Sequence, residues 1–300
     1  MSILEGAITQ TKVWSAYLRL SHHEEAERSA AIDRLVSLGK QSIPTLQFAL
    51  KPPNAWKVQC SAAVALHRLQ QPEGMAFLIE ALRWKVSADP ENNLLPDVET
   101  AFLKIGVPDA SIALLGVWSQ HSDWRSENIQ VITICKLWAV LCDPRVLDAL
   151  CQQANYIPDL FEQTVPPFGQ MAIPHLARML RDPDMNRRLL AIQTLRHIHV
   201  GDSFTTLVPL LRDPAPEIRS AVPSALYECG PQEVTKREIQ EALKAGYSSA
   251  EAIQCLVANQ PVQGFLDVAT AEIFLQILER WNPHSLSRDG DTSGAVLAIL

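Results

Sequence analysis

Apolar and polar positions follow a helical period along almost the whole chain. Ile32, Leu35 and Val36 fall at i, i+3 and i+4, as do Leu207, Leu210 and Leu211, which is helical spacing and not strand alternation. At a larger scale an apolar anchor recurs at Leu35, Leu66, Leu103, Leu137, Val165, Leu195 and Leu226, with spacings of 31, 37, 34, 28, 30 and 31 residues. A unit of that length repeated in series marks a solenoid, in which each unit buries its apolar face against its neighbours. The expected fold is all-α: a right-handed α-α superhelix of about seven to eight helical pairs.

Each anchor is followed by a residue that ends a helix: Gly39, Pro72, Gly106, Pro144, Gly169, Gly201, then Gly230-Pro231. Gly admits a left-handed cap and Pro cannot continue a helix. A second apolar stripe then begins, at Ile43, Ala76, Ser111, Val146, Ile173, Thr205 and Val234 in turn. Pro44 and Pro174 suit the first turn of these second helices, where the missing N–H has no intrahelical partner. The turns between units carry Arg181-Asp182-Pro183 and Arg212-Asp213-Pro214, 31 residues apart, and an Arg six residues after each Asp, at Arg188 and Arg219. Asp182 and Asp213 are therefore expected to cap the next helix. The residue seven before each anchor is Arg28, Gln59, Pro96, Gln130, Pro158, Arg188 and Arg219.

With Pro opening the second helix, Asp in the turn, then Arg, Ala and Leu, the chain resembles the HEAT-repeat family, in particular the phycobilisome-lyase-type HEAT-like repeats. The pattern is good over roughly 170–230, fair over 28–85, and degraded between 90 and 165, where Gln or Pro replaces the Arg. The resemblance implies a HEAT-like solenoid. Members of the family serve as scaffolds, lyase subunits, DNA glycosylases and transport factors, so the fold alone names no activity.

The expected organisation is a single HEAT-like solenoid over 1–281. An amphipathic N-terminal capping helix lies within 1–20, and a divergent last repeat spans 248–281, its first helix capped by Ser248 or Ser249. After Asn282-Pro283, residues 284–294 are polar and rich in Gly, Ser and Asp, the composition of a flexible linker. The tail 282–300 ends in six apolar residues. Val296, Leu297, Ile299 and Leu300 are candidates to dock into an apolar groove, on this chain, on a partner, or on a second copy to give a homodimer.

Net charge is −7, so the overall basic footprint of a nucleic-acid binder is missing and no nucleic-acid partner is expected. Residues 171–220 are a local exception, with seven Arg against five acids. No charged leader precedes an apolar core, and the longest apolar run, Val131–Cys142, is interrupted by Lys136. A cytoplasmic protein with no membrane partner is expected. The six Cys form no C-x-x-C pair and suit small buried hydrophobes.

The search for chemistry yields no catalytic constellation, no metal set and no cofactor motif: a Walker loop, a dinucleotide fingerprint, G-x-S-x-G and H-E-x-x-H are all missing. His22-His23-Glu24-Glu25 provides one His-Glu cluster where the HEAT-type iron hydroxylases need several. His197 and His199 point to different sides of a helix. Asp123-Trp124-Arg125 offers the residue types of the HEAT-like DNA glycosylases within an acidic chain.

Seven Trp are more informative. Trp84 and Trp118 close adjacent second helices, and Trp56 and Trp124 open first helices, which suggests an aromatic edge near the inter-repeat turns; Trp and Arg are enriched at binding hot spots. The candidate partner-binding residues are Trp84, Trp118, Arg83, Arg178, Arg181, Arg212 and Lys244. The function expected is a non-catalytic scaffold that binds another protein. The alternative, implied by the family resemblance, is a bilin lyase or isomerase subunit acting on phycobiliproteins, with Arg178, Arg181 and Arg212 pairing with the two propionates of the tetrapyrrole.

Overall fold

The computed structural model describes residues 3–85, 95–121, 128–198, 201–247, 249–259 and 267–280. Among them every regular element is helical and none is a strand. The chain divides into two compact units, Met1–Val146 and Leu147–Leu300.

The first unit carries α1 (Ile3–Leu18), α2 (Glu25–Ser37), α3 (Ile43–Ala49), α4 (Trp56–Arg68), α5 (Pro72–Glu80), α6 (Leu95–Ile105), α7 (Asp109–Ser119) and α8 (Ile129–Leu141). First helices α2, α4, α6 and α8 pack in succession; α5 and α7 fold back on α4 and α6, and α3 packs on α4. Helix α1 packs on α2 and α3. The second unit carries α9 (Leu147–Gln153), α10 (Pro158–Thr164), α11 (Ile173–Met179), α12 (Met185–Arg196), α13 (Gly201–Leu207), α14 (Pro216–Cys229), α15 (Gln232–Lys244), α16 (Ala250–Ala258) and α17 (Val268–Arg280). Here α10, α12, α14 and α16 form one row. Helices α9, α11, α13 with its 3-10 extension Val208–Arg212, α15 and α17 form the other.

Six of the seven anchors, Leu35, Leu66, Leu137, Val165, Leu195 and Leu226, are at most 2% exposed. Each such side chain contributes roughly 1.5–3 kcal/mol by leaving water. The seventh is a correction. Leu103 is 40% exposed while Phe102 is fully buried. Helix α6 begins at Leu95, and its buried face runs through Leu95, Val98 and Phe102, a spacing that leaves Leu103 one position outside.

The helix stops also differ in part from the expectation. Gly39 (φ 64°) and Gly106 (φ 73°) are left-handed as expected, but in the intervening turns Gln70 (φ 59°) and Cys142 (φ 49°) take that conformation. Pro72 and Pro144 follow them and open the next helical segment. Gly230 is extended (φ −131°), and a Cβ there would meet the Phe204 ring at 2.1 Å, so close packing and not handedness requires glycine. Pro44 and Pro174 do lie in the first turn of α3 and α11.

The Arg six residues after the turn Asp is a clamp. Arg188 Nη1 donates to the carbonyls of Asp182 (2.9 Å) and Pro183 (3.1 Å). Arg219 Nη1 does the same to Asp213 (2.9 Å) and Pro214 (3.0 Å). Arg28 Nη1 repeats it on His22 (2.9 Å) and His23 (2.7 Å). These carbonyls lie outside any helix ladder, and a charged donor satisfies them strongly. Gln59 keeps one such bond, to the Asn54 carbonyl at 2.8 Å. Asp182 and Asp213 do not cap the next helix. Each accepts from the backbone N–H two residues on, and Asp184 caps α12 instead. Ser249 caps α16, accepting from the Ala252 N–H.

Candidate functional site

In the second unit the ends of the second helices collect the charged residues singled out from the sequence. Helix α11 starts at Ile173-Pro174 and buries Ile173, Leu176, Met179 and Leu180. The same 3.6 period turns His175 and Arg178 outward, and Arg181 follows at the open end. One repeat on, Leu207 and Leu211 face the core and Arg212 ends the 3-10 turn in water.

Asp148 of α9 links this row. Its Oδ1 lies 2.9 Å from His175 Nδ1 and accepts from Arg178 Nη2 at 2.7 Å. Burial alone would raise the Asp148 carboxyl, but the bonds from Arg178 and His175 outweigh it and hold the pKa below the usual value. Deeper, Arg187 Nε donates to Asp182 Oδ2 (2.7 Å) and Nη2 to the Cys151 carbonyl (2.9 Å). Between these pairs lies an open pocket of about 350 Å³ lined by Asp148, Cys151, Gln152, His175, Arg178, Met179, Asp182 and Arg187. Burial, and then the charge of Asp148, pushes the Cys151 thiol up to about 12, so it stays protonated at neutral pH and is a poor nucleophile. Arg188 links to the next repeat through Asp213 Oδ1 at 3.4 Å, with only 12% and 8% of the two side chains exposed.

Two cations at the ends of these helices stand apart. Arg181 and Arg212 occupy equivalent positions, are exposed, and have no side-chain partner among the described residues. Lys244, another exposed member, pairs with Glu241 at 2.9 Å.

Other sequence candidates fall elsewhere. Trp118 is a correction: it is 3% exposed, with its ring 4.8 Å from that of Trp138, because it closes α7 on the side facing α8. It belongs to the core and not to an open edge. Arg83 is half-buried and acts as a strut, donating to Gln120 Oε1 at 2.6 Å while its carbonyl accepts from Gln130 at 2.6 Å. The exposed aromatics among the described residues are instead Trp14 (50%) on α1, Phe48 (53%) on α3, Tyr156 (64%) and Tyr247 (41%). Trp56 opens α4 and lies against Phe77 at 5.6 Å. The Trp84 side chain, Trp124, His199 and the tail residues Val296, Leu297, Ile299 and Leu300 lie outside the described residues.

His22 and His23 stack at 4.5 Å, and His22 Nδ1 accepts from the Glu24 N–H. Among the described residues no group of three or more His, Cys, Asp or Glu is placed to hold a metal ion. No described helix is long and apolar enough to cross a membrane. Asp148, Cys151 and Arg187 were missed from the sequence. A signal was present for Asp148, which stands one repeat before Arg178.

No family model matches the chain, and no curated protein matches it. A solved structure of human deoxyhypusine hydroxylase in complex with glycerol is similar over 99% of each chain, at 17% identity and a TM-score of 0.30. A likeness that loose carries no argument about what this chain does. The all-α repeat architecture stands on the helices themselves.

Proposed function

We propose that this chain is a binding scaffold without chemistry of its own, which seats a protein partner across the second-helix ends of Leu147–Leu300. One observation carries the reading: Arg181 and Arg212 stand exposed at equivalent repeat positions without side-chain partners among the described residues, whereas Asp182 and Asp213 beside them are already bound. Arg presents a planar fork of donors suited to carboxylates and is enriched at interface hot spots.

The competing reading is a bilin lyase subunit, since two guanidiniums one repeat apart could also hold two propionates. The test uses affinity capture from the cells that make the protein, with the full chain and with the Arg181→Glu/Arg212→Glu double variant. Equal thermal midpoints first establish that both fold. A defined set of proteins retained by the wild type and lost by the variant is expected, with no shifted visible band on adding phycocyanobilin. Identical retention by both chains overturns the scaffold reading. A shifted band that depends on the two arginines transfers them to bilin binding.

A further inference from the structure

We infer that the recognised segment is an extended, acidic stretch of polypeptide whose carboxylates stand three residues apart, one meeting Arg181 and the next Arg212. This rests on the scaffold reading above and adds the conformation and charge register of what is bound.

The register follows from the repeat. Arg181 comes directly after α11, its N–H still bonded to the Arg178 carbonyl. Arg212 closes the 3-10 turn that extends α13, and the next residue, Asp213, bonds back to the Leu210 carbonyl. The two therefore leave equivalent ends of adjacent packed helices. Packed helix axes lie about 8–10 Å apart. An extended chain in the polyproline II conformation advances about 3.1 Å per residue with three residues per turn, so residues three apart point the same way and span that step. A helical ligand rises only about 1.5 Å per residue and would need six to seven.

The charge follows from the local pairing. Every Asp near this row is engaged: Asp148 by Arg178 and His175, Asp182 by Arg187, Asp202 by Gln170, and Asp213 by Arg188 and the Ala215 N–H. Arg181 and Arg212 are what this network leaves over, so the incoming groups must supply the negative charge. Arg178, one turn before Arg181, adds a reserve. Its side chain is 65% exposed and shares Asp148 with His175, so it can turn to a new carboxylate while His175 keeps Asp148 company.

Calorimetric titration of the full chain with three synthetic peptides tests this. They have one composition, three Glu in a Gly/Ser background, with the Glu at i, i+3, i+6, or contiguous, or at i, i+7, i+14. The expected result is at least fivefold tighter binding of the three-residue register than of either other. Arg181→Glu/Arg212→Glu should erase that preference. Arg237→Glu, exposed on α15 outside the proposed track, should keep it. Equal affinity for all three peptides, or none measurable at millimolar concentration, overturns the inference. So does a preference for the seven-residue register, which would mean a helical ligand. If the peptides fail while protein capture still depends on Arg181 and Arg212, the register falls and the scaffold stands. If both fail, the scaffold falls with it.

Discussion

Asp267 shows how much one side chain can hold in a repeat fold. It sits just before α17 and accepts from the Thr270 N–H (3.0 Å) and hydroxyl (2.7 Å), while Lys236 of α15 reaches it at 2.8 Å. It thus caps one second helix and ties it to the previous one. Burial would raise its carboxyl, but the bonds from Lys236 and Thr270 and the Lys236 charge outweigh that and hold it far below the usual carboxylate range. The sign follows. A depressed carboxylate stabilises the fold above its unfolded pKa, near 3.9, and that contribution is lost as pH falls towards the folded value. Asp267→Asn keeps a cap of equal quality but removes the charge paired with Lys236, and should cost up to about 1 kcal/mol at pH 7. It should also flatten the fall in stability between pH 4.5 and 3, measured by urea unfolding at several pH values. Parallel curves for the two proteins would show that the carboxylate charge contributes nothing. The same scale explains Arg28, Arg188 and Arg219. Each was legible only as a recurring Arg, because a side chain that bonds two carbonyls leaves no mark of its target in the sequence.

At the scale of elements, a one-residue register error becomes measurable. Phe102→Ala should cost about 3–5 kcal/mol and Leu103→Ala no more than about 0.5, because only the former empties a packed site. Leu195→Ala and Leu226→Ala should each cost about 2–5 kcal/mol, since both are fully buried in their repeats. Urea midpoints decide all four, and a large loss for Leu103→Ala would restore the original register. Helices were legible because apolar spacing is a property of sequence alone. The turns were legible because Gly or Pro marks them, but the left-handed residue was not legible ahead of Pro72 and Pro144, where the surrounding structure imposes that backbone on Gln70 and Cys142. Trp118 misled for a related reason. Near the end of α7 either side of the helix can face a neighbour, and the choice is set by Trp138, which lies one repeat half away. Asp148 and Arg178 were separable as a pair only once the repeat length was trusted over residue type.

At the scale of the molecule, charge sets what can approach. The net value of −7 gives no general attraction to polyanions, and the local surplus of Arg within 171–220 largely dissolves on inspection of its partners. Arg187 and Arg188 hold Asp182 and Asp213, Arg178 holds Asp148, Arg196 holds Glu228, and Arg219 holds two carbonyls. Arg181 and Arg212 remain. Neutralising two phosphates gives a salt slope of only about −1.8 in log–log terms, or roughly a twelvefold loss between 50 and 200 mM salt, and little binding to lose. Proteins that hold duplex DNA non-specifically at 10⁻⁴–10⁻⁶ M under physiological salt commonly engage several times as many phosphates. The chain should therefore show no duplex binding tighter than about 10⁻⁴ M at physiological salt, measured by fluorescence anisotropy of a labelled duplex. Binding in the micromolar range with a slope of −5 or steeper would mean that the internal Arg pairs open to the duplex. In that case Arg178, Arg187 and Arg196, and not the two unpaired arginines alone, would form the contact surface.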